Sequence, residues 1–332
     1  MIDVRERISV GRNRLQVTRL GLGSAALGFL YTPVVEQEAR MVVKRAYEMG
    51  VRFFDTAPLY GNGIAERRLG VELSHLPRAS YVLASKVGYA LPTDSPPSTN
   101  GLPESTLPEP PRDYSYDGVM RCIEGSLKRL GAERLDIIHI HDPDEHFGEA
   151  MEGAYRALDT LRSQGVIGAI GVGMNQAEML ARFAHAGDFD CFLLAGRYTL
   201  LDQRGLAELL PLCVRRQISV FIGGPFNSGL LADPYAAVTT FNYKPAAQEW
   251  TMRAQRIDVM CQRYEVPLKA AALQFPLAHP TVAAVLTGAR STRELEENAR
   301  MLRYPIPADL WANLKAEGLL AQDAPTPAPS SG

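Results

Sequence analysis

The 332-residue chain predicts a (β/α)8 barrel, and three observations carry that expectation. Counting from Leu20, eight short apolar runs alternate with helical stretches, and eight such units in roughly 300 residues suit a closed barrel better than an open sheet. No GxGxxG opens a helix after the first run, which weakens the doubly wound alternative. Polar side chains gather at the ends of the runs, where a barrel keeps its chemistry.

Ahead of the barrel, Ile8-Ser9-Val10 and Leu15-Gln16-Val17 read as a hairpin turned at Gly11-Arg12-Asn13. The first barrel strand runs from Leu20 into Gly23 and Ser24. Residues 36–49 form an amphipathic helix, because Ala39, Val42, Val43, Ala46 and Tyr47 share one face and Gly50 can close it. Strands are expected over 51–54 and 81–86, with a helix over 66–73 between them. Residues 89–116 hold seven prolines and few aliphatics, so they read as a long irregular loop, functional or disordered. Tyr89, Tyr114 and Tyr116 can give that loop a packed or substrate-facing edge.

Alternation resumes with a helix over 117–130, closed by Gly131, and a strand over 135–140. Helix 149–162, strand 166–172, helix 176–186, strand 189–194, helix 206–215 and strand 218–222 follow. Helices over 246–264 and 267–278 precede strand 282–286, and helices over 292–301 and 308–319 end the pattern. Residues 1–322 are expected to form a single domain, and the Pro/Ala/Ser-rich tail 323–332 to be disordered.

Composition narrows the partners. Apolar residues at 46% and charged residues at 22% are enough for a large core. A net charge of -2 gives no electrostatic case for nucleic acid or an anionic membrane. No apolar run reaches the roughly 18 residues needed to span a bilayer. Met1 to Arg7 is charged and no apolar stretch follows, so no secretory leader is expected. Cys122, Cys191, Cys213 and Cys261 are far apart and form no CxxC, as reduced thiols of a cytoplasmic protein would be.

The chemistry centres on Phe53-Phe54-Asp55-Thr56-Ala57-Pro58-Leu59-Tyr60-Gly61. An apolar strand delivers a carboxylate to the rim, and a proline turn brings a tyrosine beside it. A phenol becomes a useful acid or base only if something lowers its pKa from about 10. Lys86, at the end of the third strand, can do so, because an ammonium stabilises a phenolate. Asp55 can hold that ammonium charged, and a histidine can donate a hydrogen bond to a substrate oxygen. The histidine comes from Leu135-Asp136-Ile137-Ile138-His139-Ile140-His141-Asp142-Pro143. His139 and His141 share a strand face; His141 is nearer the rim and His139 reads as an interior residue.

Each residue has a plainer reading. Lys86 can be a lysine extended along a strand end, Asp55 a turn cap, and Tyr60 a packed loop aromatic. Joint placement on successive strand ends favours the chemical reading. An H-x-H pair also suits a metal, with Asp142 and His146 near, which keeps a metal-dependent hydrolase as an alternative. No second H-x-H or H-x-x-E-H appears, so no metal ligands are assigned.

The sequence resembles the aldo-keto reductase superfamily. The resemblance is carried by Phe54 through Gly61 with Glu66 and Leu69-Gly70, by Ser85-Lys86, by Leu135 through Pro143, by Gly165 through Val172, and by Gly288-Ala289-Arg290-Ser291 with Glu297-Asn298. It spans about residues 8–320 and implies a (β/α)8 barrel that binds a nicotinamide cofactor without a Rossmann domain. It also implies that Tyr60 gives or takes the proton, Lys86 tunes it, Asp55 orients Lys86, and His141 positions the substrate oxygen. By the same resemblance Gly23, Ser24, Asn175, Pro225, Asn227, Ser228, Gly229, Leu230, Gly288, Arg290, Ser291, Glu297 and Asn298 are the candidate cofactor residues.

Some positions depart from the family pattern. Gly171-Val172-Gly173-Met174-Asn175 stands where Gly-Val-Ser-Asn is common, and Ala195 stands where a glutamine is expected. Gly288 and Glu294 replace a lysine and an arginine that bind the 2′-phosphate of NADPH in many members, which favours NAD, with NADP possible. Gly196 through Asp202 and His141-Asp142-Pro143-Asp144 resemble the D-threo-aldose/L-fucose dehydrogenase group. The expectation is therefore oxidation of a free sugar at its anomeric carbon to a lactone. A pyridoxal 4-dehydrogenase and a general aldehyde or ketone reductase are the enzyme alternatives. A non-catalytic nicotinamide-binding regulatory barrel is the different-class one, and it predicts a degraded tetrad.

Overall fold

The computed structural model describes residues 2–12, 15–30, 32–91 and 108–328. Eight parallel strands close on themselves: β1 (Leu20–Gly23), β2 (Phe53–Asp55), β3 (Val82–Val87), β4 (Ile137–His141), β5 (Ala169–Met174), β6 (Cys191–Ala195), β7 (Ser219–Gly223) and β8 (Val282–Thr287). β8 returns to β1, with Leu286 opposite Gly21, so the predicted barrel is the observed one. Several expected strands begin early; the run at 166–172 is observed as Ala169–Met174. The overshoot has a cause. Val51, Leu135 and Phe189 precede their strands but are buried, so the apolar signal starts before the strand hydrogen bonds do. At the other end polar residues complete the strands, and β2 and β4 finish on Asp55 and His141.

The helices are α1 (Glu36–Met49), α2 (Ile64–Leu73), α3 (Tyr116–Leu130), α4 (Arg156–Ser163), α5 (Ala177–Ala186), α6 (Leu209–Arg216), α7 (Gln248–Arg263), α8 (Leu268–Leu277), α9 (Thr292–Leu302) and α10 (Ala308–Ala316). α1 buries Ala39, Val42, Val43 and Ala46 against the barrel and stops at Gly50, whose φ of 101° suits only glycine. Ser115 caps α3 by accepting the Gly118 N–H at 3.1 Å. The helix expected over 149–162 is not uniform. Ala150–Tyr155 is wound wider, as a π-helix, and leads into α4. There a Cβ on Gly153 would lie 2.3 Å from the Tyr114 carbonyl oxygen, so the helix and the chain entering α3 meet backbone to backbone.

Side-chain alternation divides the core in two. Phe53, Val82, Ala84, Ile137, Ala169, Cys191 and Phe221 fill the barrel interior, while Phe54, Leu83, Ile138 and Ile140 pack outward beneath the helices. The hairpin forms as expected, Arg7–Ser9 pairing antiparallel with Gln16–Thr18. Its Val10 and Val17 join the interior cluster and plug one end of the barrel. Asn13, in the expected turn, lies outside the described residues, as does the middle of the 89–116 loop, residues 92–107.

The two ends of that loop are tied together. Ala90 N–H donates to Pro111 O at 2.8 Å, Asp113 N–H to Gly88 O at 2.9 Å, and Tyr89 bridges Arg112 antiparallel. A second small hairpin, Thr240–Phe241 with Lys244–Pro245, sits between β7 and α7; two-residue strands have no period to read in sequence. The tail does not leave the barrel at Asp323. Ala324 is buried in the core, and Pro327 and Ala328 line a cleft with Arg19 and Tyr304, while 329–332 lie outside the described residues. Ala324 is apolar and small enough to pack there, a placement that Pro/Ala/Ser composition does not announce. Among the described residues no helix is long and apolar enough to cross a membrane.

Candidate active site

Four polar residues meet where β2, β3 and β4 end. Strand alternation turns Asp55, Lys86 and His141 inward, above Phe53, Ala84 and Ile137 of the same strands. Lys86 Nζ lies 2.7 Å from Asp55 Oδ2 and donates to the Thr56 carbonyl at 2.8 Å. Lys86 is 1% exposed and Asp55 2%, so neither charge is solvated except by the other and by that carbonyl. Burial raises the Asp55 carboxyl above its ordinary range, and the ammonium works against that rise.

Tyr60 stands over this pair, with Lys86 Nζ 4.8 Å from its ring centroid. The loop that presents it is fixed by glycine. Gly61 has φ +59°, and a Cβ there would come within 2.7 Å of Gly28 O, so two backbones touch directly beneath the tyrosine.

His141 meets Tyr60 edge to face at 5.9 Å between ring centroids, and Tyr89 at 5.3 Å. Burial, then the Lys86 charge, presses its pKa well below the usual value, so the imidazole is neutral near pH 7. A neutral imidazole carries one N–H and one acceptor nitrogen. Its Nδ1 is buried with no partner among the described residues. His139 is an interior residue as expected, but its contact is weak: Nε2 lies 3.7 Å from Cys191 Sγ, and Nδ1 has no partner among the described residues. His146 faces Glu149 at 3.3 Å and the Tyr114 ring. Among the described residues no group of three His, Cys, Asp or Glu is placed to hold a metal.

The expected cofactor residues fall into two groups on the rim. Gly23 and Ser24 end β1, and Ser24 N–H donates to Asp55 O at 2.9 Å. Gly288 follows β8 beside them, where a Cβ would lie 3.3 Å from Ala26 Cβ. Arg290 donates to Thr32 Oγ1 at 3.0 Å and pairs with Glu294 at 3.0 Å, and Ser291 caps α9. Asn175 and Asn227 form the other group. Asn175 Nδ2 donates to Ala195 O at 3.2 Å and Asn227 Nδ2 to Gly196 O at 3.1 Å.

Beside them, Asn227, Ser228 and Gly229 all have positive φ in the loop that starts at Gly224-Pro225. Ser228 is tied to the small hairpin through its carbonyl, which accepts from Thr240 Oγ1 at 2.7 Å. Leu230 is buried in the core and Asn298 on the inner face of α9, while Glu297 is occupied by Lys269 at 3.0 Å. Ser24 Oγ, Thr56 Oγ1 and Thr287 Oγ1, at or just past the ends of β1, β2 and β8, and Asn227 Oδ1, in the loop after β7, are buried with no partner among the described residues. Unpartnered polar atoms on this rim fit a polar ligand laid across it.

Residues 19–317 match the Aldo/keto reductase family. The chain belongs to that family. It is similar to a pyridoxal 4-dehydrogenase of Microbacterium luteolum, 38% identical over 95% of this chain and 98% of that one. It is also similar to a D-threo-aldose 1-dehydrogenase of a Pseudomonas species, 36% identical over 94% of this chain and 96% of that one. An aldo-keto reductase of Bacillus halodurans in its holo form superposes with a TM-score of 0.76 at 22% identity, covering 95% of this chain and 96% of the other, which shows the fold.

In this aldo/keto reductase the surroundings of His141 are richer than the tetrad expected from sequence. Tyr114 Oη donates to the carbonyls of His141 (2.7 Å) and Asp142 (2.9 Å), and Arg112 donates to the Asp142 carbonyl at 2.9 Å. Asp142 thereby holds a left-handed φ of +44°, and its Oδ2 lies 3.7 Å from His141 Nε2. Of these only Asp142 is visible in the His-Asp-Pro run. Tyr114 and Arg112 reach the site through the tied base of the loop.

Proposed function

We propose that the chain oxidises C1 of a free aldose of the L-fucose/D-threo-aldose type to the lactone, with NAD as oxidant and Tyr60 as general base. One arrangement carries this reading: a phenol, a buried ammonium and a neutral imidazole converge on one point at the barrel mouth. The bound nicotinamide would supply the hydride acceptor. In this reading Gly23, Ser24, Asn175, Asn227 and Gly288 would hold it, and the buried oxygens of Ser24 and Asn227 support that role by having no partner among the described residues.

In the reaction His141 donates to the anomeric oxygen while Tyr60 takes the hydroxyl proton. The C1–H bonding pair departs as hydride, and C1–O becomes the lactone carbonyl. Lys86, held by Asp55 and Thr56, stabilises the negative charge on the phenol oxygen before it accepts the proton. An intact tetrad is the feature a purely regulatory barrel would not need to keep. Purified protein is expected to form NADH with at least one of L-fucose, D-arabinose and L-galactose. NADH formation with pyridoxal and with none of these sugars would replace the aldose reading by a pyridoxal one, which the 38% identity to the Microbacterium enzyme favours.

The choice of NAD follows from the same rim. Burial works against ionisation of Glu294, but the backbone N–H and guanidinium of Arg290 hold its carboxyl below the usual range. In this reading Arg290, the cation proposed to meet a 2′-phosphate, is compensated by a carboxylate in the first turn of α9. Glu294→Gln frees Arg290 and is expected to raise kcat/KM for NADP relative to NAD by about tenfold. An unchanged ratio would remove this pair from cofactor choice.

A further inference from the structure

We propose that Asp142 is a specificity residue: its carboxylate accepts a hydrogen bond from the hydroxyl on the carbon next to the one oxidised, so the site selects 2-hydroxy aldoses. This role deepens the aldose reading and rests on it. Asp142 Oδ2 is 3.7 Å from His141 Nε2, too far for a direct hydrogen bond. A substrate held by Nε2 at roughly 2.9 Å can bring a neighbouring oxygen within hydrogen-bond reach of the carboxylate. The reacting oxygen cannot be its lasting partner, because as a lactone carbonyl it has no hydrogen to give. The hydroxyl on the adjacent carbon keeps its hydrogen through the reaction.

The carboxylate is also built into place. A left-handed φ of +44° is costly for most residues and is held here by Tyr114 and Arg112 on the Asp142 carbonyl and by the Asp142 N–H on Gly173 O at 2.9 Å. Beside it, His141 is 6% exposed, with Nδ1 unpartnered among the described residues.

The groups facing Asp142 are His141, Asp144 in the following turn, Arg112 and Glu109 from the loop base, Tyr89 and Tyr114 beside them, and Lys86 on β3. Burial first, then Asp144, pushes its carboxyl up to about 6. The acceptor is a carboxylate at pH 8 and becomes a weaker, neutral carboxyl as pH falls through about 6.

The test compares D-arabinose with 2-deoxy-D-arabinose, and L-fucose with 2-deoxy-L-fucose, with NAD as oxidant. The wild type is expected to favour the 2-hydroxy sugar in kcat/KM by a factor on the order of 10 to 100 at pH 8, shrinking toward pH 5. Asp142→Gly removes the carboxylate where positive φ suits glycine, and is expected to bring the ratio near one and to abolish its pH dependence. Asp142→Asn tolerates the same backbone but keeps a neutral acceptor, so its ratio should fall between the two and be independent of pH. A wild type indifferent to the 2-hydroxyl overturns the role. So do variants that lose both sugars equally, since that marks an effect through His141 or the backbone. Absence of NADH with every aldose in the wild type overturns the aldose reading itself, an outcome distinct from these.

Discussion

Replacing Tyr60 by phenylalanine is expected to lower kcat by a factor of about 10² to 10⁴, with kcat/KM falling in step. The substitution deletes one oxygen and keeps the ring. The ring is the part that meets His141 at 5.9 Å and lies 4.8 Å from Lys86 Nζ, so the surrounding packing is retained. Proton transfer belongs to the transition state, so substrate and cofactor should bind the variant nearly as before, which fluorescence titration with NADH would check.

Lys86→Met is a poorer probe of the same step. It strands Asp55, which is 2% exposed, and so mixes lost stability with lost chemistry. Steady-state rates with the aldose that the wild type turns over fastest decide the matter. A Tyr60→Phe enzyme with wild-type NADH formation would take Tyr60 out of proton transfer.

How much of this site the sequence discloses depends on chain distance. Asp55 and Tyr60 lie five residues apart around a proline turn, and Lys86 and His141 end recognisable strands, so strand periodicity and one turn bring all four to one rim. Tyr114 and Arg112 are different. They act on the Asp142 carbonyl across about 30 residues of sequence, and only the antiparallel tie between Tyr89 and Arg112 puts them there. Nothing in a Pro-rich stretch predicts that tie. Asp142 itself is in plain view after His141, but its left-handed backbone and its 3.7 Å approach to Nε2 are matters of geometry. The pairing of Arg290 with Glu294 is intermediate: the two are four residues apart across the capped start of α9, while its consequence for a 2′-phosphate depends on where β8 ends.

The second large effect concerns stability, one layer outside the site. Glu66 on α2 is fully buried; its Oε1 accepts from Ser85 Oγ at 2.8 Å and its Oε2 from Arg129 Nε at 2.6 Å. Arg129, on α3, also donates to Ser126 Oγ at 3.3 Å. Ser85 immediately precedes Lys86, so the network joins two helices to the strand that carries the ammonium.

Arg129→Met leaves the Glu66 carboxylate buried with only a serine, and should cost about 3 to 5 kcal/mol of folding stability. Urea unfolding would show it as a lower midpoint at unchanged slope. The double change Glu66→Met with Arg129→Met removes both desolvation penalties and should recover most of the loss, because a buried ion pair replaced by apolar groups is often near neutral. A single variant costing less than about 1 kcal/mol would mean that Glu66 finds other solvation. If the double variant is as stable as wild type but slower with the preferred aldose, the pair serves to hold β3, and with it Lys86, in register against Asp55. If it is equally fast, the pair serves only to join α2 and α3 to the barrel.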